Sequence, residues 1–285
     1  MQFCGRRDID PLSPPIVQVA DFLTDMFENG KEYSTINVAR PALSAIGIKH
    51  EGTLIGSHPI ICRLLKGIFN KKPPRVKYKS VWDKDIVLKY MQAMPRTQEL
   101  SLKELSIKLT MLIALTKAVR PQTIHLLSVK NIIKNKTEFI VELSGLQKHD
   151  RPGLHTNLVK IKAFPHDKAL CPYLILEEYL ARTKSIRGYQ EQLLISYIKP
   201  HKQVSRDTIK RWLHTMMKCA GIDIEMYGPY STRSASVSKA ARINMPINQI
   251  MLTAGWTIES TFQKFYHKEI AMEQQYEDMI LNVVR

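Results

Sequence analysis

Apolar residues recur at helical spacing through the first seventy positions. Ile16, Val19, Ala20, Leu23 and Phe27 share one stripe, which predicts a helix over about 14–30 that Gly30 can end. A second helix, over 34–47, is expected to start behind Ser34 and close at Gly47, and a third to cover 57–69. No period of two competes here, so the stretch reads as all-α. The texture then changes. Residues 66–79 contain no acid, and Pro73-Pro74 blocks helix continuation, so 71–80 reads as a basic interdomain linker.

Beyond it, Asp83 can cap a helix over 84–94 with Val87, Tyr90, Met91 and Met94 inward. Ser101-Leu-Lys-Glu104 is a capping box opening a long apolar helix to about 117. Pro121 suits the first turn of a short helix ending near Leu127. The period then switches to two. Ile132-Ile133, Phe139–Leu143 and Leu158–Ile161 predict a small antiparallel sheet with Asn135-Lys136 in a turn. Helices follow at 172–183 and behind Ser205, the latter burying Ile209, Trp212, Leu213, Met216 and Met217 before Gly221 stops it. Short helices are expected at 231–244, 246–254 and 258–266. A last amphipathic one, about 269–284, aligns Met272, Tyr276, Met279, Ile280 and Val283. The expected fold is mainly α with a small antiparallel β-sheet, divided as 1–70, a linker at 71–80, and 81–285.

Charge narrows the partners. The 285 residues hold 42 Lys+Arg against 26 Asp+Glu, a net +16, with a pI of about 9.6. That excess points first to nucleic acid, the plain alternative being a solvated lysine surface. Apolar runs such as Leu109–Leu115 are too short to span a bilayer, and residues 1–20 lack the apolar core of a secretory signal. No membrane partner is expected. Cys4, Cys62, Cys171 and Cys219 stand apart without metal-ligand spacing and read as small buried apolar residues. Neither a metal nor a cofactor is expected.

The candidate chemistry lies in the last two thirds. Arg120 sits in Ala114-Leu-Thr-Lys-Ala-Val-Arg-Pro-Gln-Thr-Ile-His-Leu-Leu127, and Lys148 in Leu146-Gln-Lys-His-Asp-Arg-Pro-Gly153. Pro229-Tyr-Ser-Thr-Arg-Ser-Ala-Ser236 is followed by Ala254-Gly-Trp-Thr257 and Ser260-Thr-Phe-Gln-Lys-Phe-Tyr-His267. Two guanidinium forks can neutralise charge developing on a phosphorane, an ammonium can protonate a leaving oxygen, and a phenol can act as a covalent nucleophile. Singly, each has an ordinary explanation. Arg120 could be a surface helix terminus, Lys148 a solvated turn residue with Arg151 as a rival cation, and Trp256 a core aromatic.

Together and in this order, these motifs resemble the C-terminal catalytic half of tyrosine recombinases, the phage-integrase family. The phrasing is most similar to recombinases of DIRS-type and Crypton-type eukaryotic mobile elements. The resemblance implies Arg120 and Arg233 as the catalytic arginines, Lys148 as the acid on a β-hairpin, Trp256 in the His/Trp position and Tyr266 as the nucleophile. Arg233 to Tyr266 spans 33 residues, a spacing typical of the family. Residues 1–70 would be the helical core-binding domain and 81–285 the α+β catalytic domain, closing as a clamp on double-stranded DNA. Lys71, Lys72, Arg75 and Lys77 in the linker, and Lys199, Lys202, Arg206, Lys210 and Arg211 along a basic edge, would meet phosphates without specifying sequence. The implied activity is site-specific recombination or integration of mobile-element DNA through a 3′-phosphotyrosine. It would be carried out in the nucleus by a homo-tetramer on DNA that is monomeric when free.

Two departures stand out. The family pattern has His where this chain has Tyr230, and a phenol cannot shuttle protons near neutral pH. Family members also carry a helix ahead of Arg7-Asp-Ile-Asp-Pro11, and this chain begins about where that helix would end. The competing readings are a catalytically silent DNA-binding protein derived from a recombinase, and a type IB topoisomerase with a similar residue set.

Overall fold

A computed structural model describes residues 2–74, 80–147, 150 and 158–256, with the backbone of 269–270. The chain divides into two compact units, Met1–Lys77 and Tyr78–Arg285.

The first unit holds α1 (Gln2–Arg7), α2 (Ile16–Glu28), α3 (Tyr33–Ala45) and α4 (Pro59–Lys71). Ile16, Val19 and Leu23 of α2 meet Ile36 of α3 and Ile61, Leu65 and Ile68 of α4 in one apolar cluster. The predicted stripe is therefore the one that is buried. Three details differ from expectation. Helix α1 precedes the first predicted helix. Helix α3 starts at Tyr33 behind Glu32, so Ser34 lies inside it and caps nothing. The unit is also not all-α, because β1 (Lys49–His50) and β2 (Thr53–Leu54) pair antiparallel. Glu51 and Gly52 both take positive φ, 49° and 76°, as a two-residue hairpin loop requires. Strands of two residues are too short to show a period of two.

The second unit is built around α6 (Leu102–Lys117), buried on every side from Leu105 to Leu115. Both halves of the predicted capping box form: Ser101 Oγ accepts from Glu104 N at 3.2 Å, and Glu104 Oε2 accepts from Ser101 N at 2.8 Å. The polar residues of α6 are satisfied locally. Ser106 and Thr110 donate to carbonyls one turn back, and fully buried Lys108 donates to Met91 O at 2.9 Å. Burial holds the Lys108 ammonium below its ordinary pKa.

Around α6 pack α5 (Lys84–Ala93), α7 (Pro121–His125), α8 (Pro172–Thr183), α9 (Arg206–Cys219) and α10 (Ser231–Arg242), and α11 (Ile247–Ala254) packs on α10. Strands β4 (Leu127–Lys134), β5 (Glu138–Leu143) and β6 (Leu158–Lys162) form an antiparallel sheet in that order, with Phe139 opposite Ile161. Asp83 and Ser205 cap α5 and α9 as predicted. Val87 and Met91 of α5 are buried, whereas Tyr90 is exposed. Of the cysteines only Cys171 is buried; Cys62 and Cys219 are exposed and Cys4 is half-buried.

The last correction concerns the final predicted helix. Glu269–Ile270, where it was expected to begin, form β7, parallel to β3 (Ser80–Val81). Backbone pairing with β3 overrides the helical period at those two residues. Residues 271–285, with the rest of that stripe, and the expected helix over 258–266 lie outside the described residues.

Arg182 gives the clearest stability prediction. Its guanidinium donates to the carbonyls of Thr97, Gln98 and Leu100 and to Glu178, holding the 95–100 loop against α8. Arg182→Met should leave these acceptors unpaired and cost about 2–3 kcal/mol. That corresponds to a Tm drop of about 4–10 °C by calorimetry; an unchanged Tm would show that water replaces the guanidinium.

Candidate functional site

The site grows from the end of α6. There Ala118 adopts the left-handed conformation, φ 48°, and turns the chain. Ala118 is buried in a small apolar cluster with Val237, Ile250, Ala254 and Trp256. Two residues on, extended Arg120 takes the N-cap position of α7, and Pro121 supplies its first turn. Arg120 thus follows by two residues the member of that cluster, Ala118, which packs with Trp256.

Helix α10 brings Arg233. Its N-terminus is fixed by Ser231, whose hydroxyl accepts from Trp82 Nε1 at 2.8 Å and donates to Gly228 O at 2.6 Å. Ser236 Oγ donates to Leu115 O at 2.5 Å, tying α10 to the last turns of α6. Lys239 pairs with Asp85 at 2.6 Å and Asp83 at 3.6 Å, holding α10 to the start of α5. Those contacts keep the Lys239 ammonium above its ordinary pKa, chiefly through the hydrogen bond to Asp85.

Arg233 is buried at 4 % exposure. Its Nη2 donates to Ala254 O at 2.5 Å, and its guanidinium lies 4.5 Å from the centre of the Trp256 ring. Trp256 reaches that place through a helix stop. Gly255 takes φ 65°, its N–H donates to Leu252 O at 3.2 Å, and Trp256 N donates to Met251 O at 2.9 Å. Ala254-Gly-Trp256 thus ends α11 and folds the indole onto the guanidinium, a cation–π arrangement.

The hairpin between β5 and β6 is tied to α7 at its base. Thr123 Oγ1 donates to Gln147 Oε1 at 2.9 Å, three residues from Arg120. Lys148, next to Gln147, and Arg151 lie outside the described residues, as does Tyr266.

Tyr230 stands at the N-cap of α10 and is 56 % exposed. The Lys210 ammonium lies 5.7 Å from its ring centre, so the basic edge of α9 meets this position. Lys210 is held above its ordinary pKa mainly by its 2.7 Å hydrogen bond to Asp207. Lys199, Lys202, Arg206 and Arg211 are exposed.

Of the linker cations, Lys72 pairs with Glu32 at 2.8 Å and Lys71 lies 5.7 Å from the Phe27 ring. Arg75 and Lys77 lie outside the described residues. Among the described residues, no group of His, Cys, Asp and Glu converges as metal ligands, and no helix is long and apolar enough to cross a membrane.

The fold thus brings Arg233 and Trp256 together, beside the cluster that holds Ala118 two residues before Arg120, and leaves Tyr230 exposed at the N-cap of α10. The anchoring by Trp82, Ser231, Thr123 and Gln147 carries no sequence signal, since each pair joins elements distant along the chain.

No protein-family model and no curated protein matches the chain. Solved structures do match. The Tn1549 transposon integrase in complex with transposon right-end DNA aligns over 95 % of this chain and 85 % of its own, with 14 % identity and a TM-score of 0.59. The XerH site-specific recombinase in a post-cleavage complex with palindromic difH substrate covers 94 % of this chain and 72 % of its own, at 12 % identity and TM-score 0.58. A lambda integrase dimer bound to a COC′ core site covers 92 % and 82 %, at 17 % identity and TM-score 0.51. The fold is that of the tyrosine recombinases.

Proposed function

We propose that this chain is a tyrosine recombinase that cuts and rejoins duplex DNA through a 3′-phosphotyrosine. The observation that carries the proposal is the packing of the Arg233 guanidinium on Trp256, in a cluster that also holds Ala118 two residues before Arg120, in a chain of this fold. In this reading the two arginines hold the nonbridging oxygens of the scissile phosphate and stabilise the charge that develops there. Tyr266 attacks phosphorus and displaces the 5′ oxygen, which takes its proton from Lys148 on the hairpin that Thr123 tethers. The bond energy stays in the phosphotyrosine, so the reverse attack by a 5′ hydroxyl rejoins strands without a nucleotide cofactor.

The first unit binds the duplex, and the basic edge from Lys199 to Arg211 meets phosphates. The working form is a homo-tetramer on DNA. Its substrate is mobile-element DNA of the DIRS or Crypton kind in a nucleus, as the sequence phrasing suggests.

Incubation with a nicked duplex that traps cleavage should yield a covalent protein–DNA adduct stable to denaturant. Binding without adduct would support the second reading, a silent DNA-binding descendant, which the phenol at Tyr230 favours.

Tyr230 also sets the expected rate. Its hydroxyl can hydrogen-bond the phosphate but cannot carry a proton near neutral pH, and an acid–base group contributes on the order of a hundredfold or more. Tyr230→His should raise single-turnover cleavage and Tyr230→Phe should lower it. Equal rates for all three proteins would make Tyr230 a packing residue only.

A further inference from the structure

We infer that Lys210 is a positioning residue for Tyr230, holding the phenol ring so that its hydroxyl is presented to the scissile phosphate. The inference rests on the proposed function and adds to it how a phenol serves where the related proteins carry an imidazole.

Tyr230 needs such a partner. It is the N-cap of α10, three residues ahead of buried Arg233, yet its side chain makes no capping bond to the first turn of the helix. With more than half of the residue exposed, little packing fixes the ring. A hydroxyl that swings freely points away from any one acceptor most of the time, and that loss of orientation costs rate.

Lys210 differs from the cations around it. Lys202, Arg206 and Arg211 are exposed, whereas the Lys210 side chain is only 33 % exposed. It follows Ile209, a member of the buried stripe of α9, and so stands at the border of that stripe. Its ammonium is engaged on two sides. Nζ donates to Asp207 Oδ1 at 2.7 Å and lies 5.7 Å from the centre of the Tyr230 ring, within the range of about 6 Å for a cation–π contact. Asp207 chiefly, with Tyr230 adding to it, holds the ammonium above its ordinary pKa and therefore charged.

Both ends of this series of contacts are fixed. Ser205 Oγ accepts from Thr208 N at 3.2 Å and caps the turn of α9 that carries Asp207 and Lys210. At the other end, Trp82 Nε1 donates at 2.8 Å to Ser231, the residue after Tyr230. Lys210 thus joins an anchored turn of α9 to the anchored start of α10 at the one ring that α10 leaves unsecured. A cation beside a phenol also polarises it and strengthens its O–H as a donor. Because the charge of Lys210 is already shared with Asp207 and the ring, its removal should show in the rate of cleavage rather than in affinity.

The test uses the full chain and a nicked duplex, with affinity and single-turnover adduct formation at saturating DNA measured for each protein. Lys210→Met keeps the apolar stem and removes the charge. It should lower the saturating rate about fivefold, the scale of one cation–π contact, with affinity within about twofold of the parent. Lys210→Arg, which still offers the ring a cation, should restore the rate to within about twofold. In a Tyr230→Phe background, Lys210→Met should cost nothing further, because no hydroxyl is left to orient.

A saturating rate unchanged by Lys210→Met, with weakened affinity, would make Lys210 a phosphate contact and overturn the inference. Equal losses in the Tyr230 and Tyr230→Phe backgrounds would overturn it too, since the role would not pass through the phenol. If the parent binds duplex but forms no adduct, the inference falls together with the proposed function. If the parent cleaves and Tyr230→Phe matches it, the inference falls and the recombinase reading stands.

Discussion

Tyr266→Phe should abolish the covalent DNA adduct while leaving duplex affinity within about twofold. The ring remains and only the attacking oxygen goes, so packing and basic surface are preserved while the step that breaks the phosphodiester has no nucleophile. A positioned nucleophile is the one member of the set that electrostatics cannot replace. The expected loss therefore reaches the detection limit of a gel assay, roughly four orders of magnitude in rate. Persistence of adduct in this variant would reassign the nucleophile, with Tyr276 the nearest tyrosine on the C-terminal side.

The next largest effect is expected at Arg233. Arg233→Lys keeps the charge but replaces a planar fork with a point charge, and a lysine cannot offer two parallel N–H groups to a phosphate. Cleavage at saturating DNA should fall about 10²–10³-fold, the scale seen when one preorganised donor is removed from a transition state. The same substitution loses the hydrogen bond from Nη2 to Ala254 O and the stacking on Trp256, so Tm should fall by a few degrees. Comparing rates well below the lowered Tm separates the two effects. A cleavage loss under about threefold in the folded variant would remove Arg233 from the phosphate.

Much of this architecture was legible in the sequence because local signals and burial agreed. Ser101 with Glu104, Asp83 and Ser205 announced their helices by capping chemistry, and each makes the expected bond. Phe139, Val141 and Leu143 alternate inward as their period of two requires. The misses share a physical cause. The β1–β2 hairpin and the β3–β7 pair are two residues per strand, below the length at which periodicity can register. Tyr90 sits at the edge of an otherwise apolar stripe, where spacing cannot tell burial from exposure.

For the candidate site, the motifs marked Arg233 and Trp256, which the fold brings together. They did not reveal how the elements that carry them are held. The helix stop at Gly255 was legible from the glycine after the helix expected over 246–254, whereas the left-handed turn at Ala118 and the Trp82–Ser231 bond each depend on tertiary packing. The meeting of Lys210 with Tyr230 was hidden for the same reason, since twenty residues of chain separate them.

The most direct measurement of the central claim is mass spectrometry of the trapped adduct after nuclease and trypsin digestion. Cleavage after Lys264 and Lys268 isolates Phe265-Tyr266-His267-Lys268, a peptide with a single tyrosine. The account predicts a nucleotide joined by its 3′ phosphate to Tyr266 in that peptide. A nucleotide on another residue, linkage through a 5′ phosphate, or no adduct from protein that binds the substrate would contradict it.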